Sequence, residues 1–186
     1  ALLAIHRPTT REELARARRR FVFQELFVMQ LALARRRHLL SRDRAPTLPI
    51  SAKIRARIVR LFPFDLTESQ QAVCDELAAD MVKENPMNRL LQGDVGSGKT
   101  VVAAFAMLLA VAHGYQATLM APTEVLARQH ARSLKQMLRQ SSVTIEMMIG
   151  SDTPKQREAL LQRIADGEVD LLIGTQAIAH AVQAGK

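Results

Sequence analysis

The sequence predicts an α/β fold, a parallel sheet with helices on both faces, preceded by a long α-helical segment. Three observations predict it. From residue 67 onward, helical and strand-like periodicities alternate four times, which is the pattern of a doubly wound parallel sheet. The breaks at Pro122-Thr123, Gly150-Ser151 and Gly174-Thr175 each follow an apolar, strand-like run. And Leu90-Leu91-Gln92-Gly93-Asp94-Val95-Gly96-Ser97-Gly98-Lys99-Thr100 fits G-x-x-x-x-G-K-[ST] at every fixed position. In such sheets ligands gather at the carboxyl ends of the strands, so all four loops are expected along one rim.

The elements follow in order. Thr10-Arg11-Glu12-Glu13 reads as a capping box with Thr10 as N-cap, opening a helix to about Leu40. Its middle, Phe21 to Ala34, is apolar on most faces and so is expected to pack on more than one side. Arg18-Arg19-Arg20 and Arg35-Arg36-Arg37 flank it. Each triplet covers most of a turn, so at least one arginine of each should face inward or find a partner. Ser41 to Pro49 is a linker, and Ile54, Ile58 and Leu61 mark a short amphipathic helix closed by Pro63. The boundary is placed near Phe62, giving a basic helical appendage at 1–61 and an α/β lobe at 62–186.

Thr67-Glu68-Ser69-Gln70 is a second capping box, opening a helix that ends before Asn85-Pro86. A strand is expected at Arg89–Gln92, then the P-loop, then a helix from Val101 to Ala112 with Gly114 as its C-terminal cap. Strands follow at Gln116–Met120, Ser142–Ile149 and Val169–Ile173. Helices run from Glu124 to about Arg139 and, after Thr153-Pro154, to Ala165. A last short helical segment should come after Gly174-Thr175.

The P-loop carries the chemistry. Glycines let Gly93 to Gly98 wrap tightly and aim backbone N–H groups at one point, and the positive end of the following helix favours phosphate. Gly93, Asp94, Val95, Gly96, Ser97 and Gly98 would form the cradle. Lys99 would reach the β- and γ-phosphates and Thr100 would offer its hydroxyl to Mg²⁺, so these two are the catalytic candidates and Thr100 is the metal ligand. The bland alternative is a glycine-rich loop before a buried helix, with Lys99 merely solvated.

Composition narrows the partners. The net charge of +8 is uneven: residues 1–60 hold 15 Lys/Arg against 4 Asp/Glu, whereas residues 61–186 hold 11 against 14. A basic arm ahead of a nucleotide site suggests nucleic acid or an acidic partner surface. The single cysteine, Cys74, excludes an internal disulfide and a Cys-based zinc cluster, as expected of a reducing, cytoplasmic setting. Ala1 to Ile5 is too short for a signal peptide, and the longest apolar run, twelve residues, is too short to span a membrane. The five histidines show no metal-ligand spacing.

Phe62 to Gln70, Met87 to Thr100 and Ala121-Pro122-Thr123-Glu124-Val125-Leu126-Ala127-Arg128-Gln129-His130 closely resemble the first motor lobe of the RecG family. These are ATP-dependent branch-migration helicases of superfamily 2, and their lobe is a RecA-like parallel sheet. Ile173-Gly174-Thr175 sits where that family carries another DNA-contacting motif. The segment from Arg18 to Arg37, with Phe21, Glu25-Leu26 and Gln30-Leu31, is similar to the helical connection between the family's wedge domain and its motor. The resemblance implies ATP and Mg²⁺ as cofactors, branched DNA as partner, and roles in recombination and repair at stalled forks and Holliday junctions. It also implies that Gln70 reads the adenine edge, while Thr67 caps its helix. Pro122, Thr123, Gly174 and Thr175 would hold the phosphates of one DNA strand. Without the resemblance, Gln70 is a plain capping residue and each dipeptide is a loop. Gln176 stands where the family has histidine, which leaves that position's role open.

The resemblance also places an acidic D-E-x-H motif after a further strand, a second motor lobe beyond it, and a wedge domain ahead of Ala1. Lys186 precedes that motif. Read so, the chain is a connecting helix plus most of one lobe, expected to bind ATP or ADP weakly without turnover. An exposed edge strand, favouring association, is a corollary. Two other readings stay open: a transcription-repair coupling translocase, which shares much of this lobe, and a non-catalytic nucleotide-binding domain. A small-molecule P-loop kinase explains neither the basic helix nor Ala121-Pro122-Thr123-Glu124.

Overall fold

The computed structural model describes residues 2–40, 43–176 and 178. By internal contacts the chain divides into two units, Ala1–Ala45 with Glu84–Pro86, and Pro46–Lys83 with Met87–Lys186.

The first unit is α1 (Leu2–His6) and α2 (Arg11–Leu40), which pack on one another. Thr10 caps α2 as the sequence predicts: its Oγ1 accepts the Glu13 N–H at 3.1 Å. The return arm differs, because the Glu13 carboxylate accepts from the N–H and hydroxyl of Thr9, one residue earlier. Those bonds hold the Glu13 carboxyl below its ordinary range. At about 1.5 Å per residue, thirty residues make a rod of about 45 Å. Its apolar middle does not pack as expected. Ala17 is 4% exposed, but Phe23 is 66% and Val28 59% exposed. Phe23 and Phe27 stack on each other, with ring centroids 5.8 Å apart. The arginine triplets are exposed too, and among the described residues they make no ion pair. Periodicity reports which surface seeks cover, not whether these residues supply it, and long arginine stems reach water from any face.

The second unit carries the sheet. β1 (Ala117–Met120), β2 (Ile145–Met148) and β3 (Leu171–Gly174) are parallel in the order β1-β3-β2. β3 is central and buried at every residue, and its side chains alternate between two faces. Leu171 and Ile173 join the main core with α3 (Ala52–Val59), α4 (Glu68–Met81), α5 (Lys99–Ala112) and α6 (Glu124–Met137). Leu172 points the other way, with Met148, towards Leu160, Leu161 and Ile164 of α7 (Pro154–Ala165). Helices therefore cover both faces, as the alternation predicts. α5 is the centre of the main core: seven of its fourteen residues are buried, Phe105 and Leu109 completely. Each such side chain contributes about 1.5–3 kcal/mol of transfer free energy. Gly114 stands past the end of α5 with φ +80°, where a side chain would be strained.

One expectation meets the structure differently. The strand at Arg89–Gln92 is not formed: this segment carries no regular structure and Leu90 is 83% exposed. An apolar extended stretch becomes a strand only when a neighbour supplies a ladder, and among the described residues no strand pairs with it. Leu48, Ile58 and Phe62 are all buried in the main core, and Pro46–Lys83 belongs to the second unit. The last helical segment falls mostly on 177 and 179–186, outside the described residues. Cys74 is buried, and burial pushes its thiol up to about 11, so it is an inert part of the core. Among the described residues no helix is long and apolar enough to cross a membrane.

Candidate nucleotide site and strand-end rim

The P-loop runs from Gly93 to the first turn of α5. Asp94 to Ser97 are exposed at its crown, and the Ser97 N–H donates to the Asp94 carbonyl at 3.2 Å. Gly98 is the N-cap of α5 in a left-handed conformation, φ +80°, and supplies no side-chain cap. The Val101 N–H donates to the Gly98 carbonyl at 2.9 Å, and the N–H groups of Lys99 and Thr100 stand ahead of that bond at the helix start, where an anion is favoured. Lys99 folds back over the loop: its Nζ lies 2.7 Å from both the Gly93 and the Asp94 carbonyl oxygens. The ammonium is thus held inside the curl of the loop.

Gln70 joins this loop to α4. Its Oε1 accepts from the Thr67 N–H at 3.0 Å, the Thr67 hydroxyl accepts from the Gln70 N–H, and the capping box is complete. Its Nε2 donates to the Ser97 carbonyl at 3.0 Å. The contact explains Gly98 a second time, since a Cβ there would stand 2.3 Å from the Gln70 Nε2.

The loop's upstream end is also anchored. Arg89 pairs with Asp80 and, at 3.2 Å, with Glu76, both on α4, while Lys83 donates to Asp80. Hydrogen bonds from Arg89 first and Lys83 second draw the Asp80 carboxyl from 3.8 down to about 2. A carboxylate whose folded pKa is depressed adds stability above its unfolded pKa and loses it as pH falls through the folded value. The expected result is that Asp80→Asn lowers the urea midpoint at neutral pH. The difference from the parent should shrink between pH 4 and 2. Two midpoint curves that stay parallel through that window would refute it.

The strand-end rim is level. Met120, Gly174 and Met148 are register partners at the ends of β1, β3 and β2. Past them, the Ala121 N–H donates to the Gly174 carbonyl at 2.7 Å and the Thr175 N–H to the Met148 carbonyl at 3.3 Å. Pro122 and Thr123 are exposed, and Thr175 is half-buried. Thr123 caps α6, accepting the Leu126 N–H at 3.3 Å, which leaves its hydroxyl hydrogen to donate outward. Gly174 itself is buried, and a Cβ there would lie 1.8 Å from the Met148 carbonyl oxygen. Because α5 feeds β1 through a short turn and packs back along it, its N-terminus also lies towards this rim.

Residues 67–184 match the DEAD/DEAH box helicase family. The chain belongs to that family. It is 45% identical over 179 residues to the ATP-dependent DNA helicase RecG of Bacillus subtilis, which covers 96% of this chain and 26% of the relative. It is 38% identical over 160 residues to RecG of Aquifex aeolicus, covering 86% of this chain and 20% of the relative. A solved structure of RecG bound to a three-way DNA junction superposes with a TM-score of 0.78 at 39% identity, covering 91% of this chain and 23% of that one. The chain thus spans about a quarter or less of the length of the relatives it matches.

As a DEAD/DEAH box helicase lobe, the structure brings together two groups that the sequence predicts: Gln70 with Gly93 to Thr100, and Pro122-Thr123 with Gly174-Thr175. Family membership implies ATP use. Two ties escape the sequence reading. One is the Arg89–Asp80 anchor. The other joins α6 to the loop after β2: Glu124 Oε1 accepts the Ser151 N–H and Oε2 the Ser151 hydroxyl, both at 3.1 Å. An acid one residue after a Thr N-cap was the only available signal, and it equally marks a favourable helix start.

Proposed function

We propose that this chain is the nucleotide-gripping and strand-holding part of an ATP-dependent DNA motor that remodels branched DNA in recombination and repair, working in the cytoplasm. The observation that carries the proposal is the Lys99 ammonium turned into the P-loop at the open N-terminus of α5. The residues suit MgATP: a cradle whose residue 98 has φ +80°, which favours glycine, one cation for the β- and γ-phosphates, and the Thr100 hydroxyl for Mg²⁺. Bound there, ATP would supply the phosphoryl transfer that drives movement.

Gln70 can serve adenine and the fold together. A carboxamide has two donor hydrogens and two lone pairs, and one of each is used by Ser97 and Thr67. The remaining pair suits the adenine edge, which needs one donor and one acceptor. On the rim, the hydroxyls of Thr123 and Thr175 would grip the phosphates of one strand, positioning it without reading bases. Gly174 contributes by letting β2 and β3 approach, which sets Thr175 at the edge, and Pro122 stiffens the turn before Thr123. Functionally, residues 1–61, whose α3 packs into the sheet-bearing core, would connect the lobe at 62–186 to a DNA-binding wedge, with a second motor lobe completing the ATP site.

The test uses the full-length protein. It should unwind a three-way junction only with ATP. Thr123→Val and Thr175→Val should each weaken single-strand binding about tenfold, equally for all base sequences, since a hydrogen bond to a charged group contributes about 1.5–3 kcal/mol. Undiminished binding by both variants, or a loss confined to particular sequences, would sink the rim assignment.

A further inference from the structure

The Glu124–Ser151 tie is a charge in an unexpected place. Glu124 adjoins Thr123, so a carboxylate stands beside the position proposed for a DNA phosphate, where its charge alone would oppose binding. Yet both its oxygens are engaged, and both donors of Ser151, N–H and O–H, are spent on it. Ser151 therefore has no donor left for DNA. The tie reaches across 27 residues, from the start of α6 to the loop after β2.

The loop it grips is fixed on its other side as well. The Asp152 carboxylate accepts the Ile149 N–H at 2.7 Å. At Gly150 a Cβ would sit 3.3 Å from Glu124 Oε1, so the glycine gives the carboxylate its close approach. β2 in turn holds Thr175 through the Met148 carbonyl. A continuous set of links thus runs from Thr123 through Glu124, Ser151 and β2 to Thr175.

We propose that Glu124 is a positioning residue for strand binding: through Ser151 it fixes the spacing of the Thr123 and Thr175 hydroxyls. This rests on the reading of those threonines as phosphate ligands. It makes the rim a rigid pair of contacts rather than two independent loops, and such pre-organisation lowers the ordering cost of binding.

The test measures affinity of the full-length protein for an oligo-dT strand at several salt concentrations, with thermal midpoints recorded beside it. Glu124→Gln removes a repulsive charge and replaces one acceptor oxygen by a donor. As a positioning residue its loss should weaken binding about fivefold despite the lost repulsion, at a nearly unchanged midpoint. Ser151→Ala should weaken binding similarly, and the double variant no further than the worse single one. Unchanged or tighter binding by Glu124→Gln would overturn the proposal, because a surface charge alone predicts tightening. Multiplying effects of the two changes would overturn it as well. Thr123→Val and Thr175→Val, measured alongside, separate the two failures. If they weaken binding while Glu124→Gln does not, only the positioning role falls. If they have no effect, the phosphate reading falls and takes this proposal with it.

Discussion

Lys99→Ala should lower affinity for ATP about a hundredfold while leaving the thermal midpoint nearly unchanged. The side chain turns its ammonium into the P-loop, where its Nζ lies 2.7 Å from two backbone carbonyls. Hydrogen bonds from a charged donor to phosphate contribute about 1.5–3 kcal/mol each, and about 3 kcal/mol in total corresponds to two decades in the binding constant. The core does not depend on it, because the buried residues of α5 begin at Val101 and centre on Phe105 and Leu109. Calorimetric titration with a non-hydrolysable ATP analogue reads the effect directly. Unaltered affinity would show that the loop is a packing feature with a solvated lysine. A collapse of the midpoint would show that Lys99 instead holds the loop's fold.

The second large effect concerns stability. Gly174→Ala should cost about 3 kcal/mol, because the new Cβ would lie 1.8 Å from the Met148 carbonyl oxygen and 2.9 Å from the Ile178 side chain. The methyl of Ile178 can turn away, but a backbone oxygen in the β2–β3 ladder cannot. Relief would require the ends of the two strands to separate, at the register pair Met148–Gly174. The urea midpoint should fall with an unchanged slope, since the same surface is exposed on unfolding. A loss below about 1 kcal/mol would mean that the rim adapts more readily than a buried central strand should. The same variant should weaken strand binding, as Thr175 follows directly.

How far the sequence could be read varied with the range of the interaction. α7 was legible to the residue because its signals are local: Thr153 and Gln156 form a reciprocal capping box, with Pro154 at the first helical position. The same holds for Thr67 and Gln70 on α4. β3 was legible because the apolar run Leu171-Leu172-Ile173 before the Gly174 break suits a strand buried on both faces. The Arg89–Gln92 segment carries the same kind of local signal and is not a strand, because pairing needs a neighbour that no local pattern reports. α2 teaches the same lesson in reverse. Its apolar faces read as packed, and its middle is exposed.

By itself, then, the sequence determined the order of the helices and of β1, β2 and β3, the P-loop motif with Lys99 and Thr100, and the resemblance to a family of DNA motors. These depend on residues a few positions apart, where backbone geometry and side-chain chemistry are set together. Only the tertiary structure decided that α3 packs on the sheet-bearing core, that Gln70 touches Ser97, that Arg89 is held by α4, and that Glu124 binds Ser151. Each of those joins residues at least nine positions apart, and their meeting depends on how whole elements pack rather than on any pattern along the chain.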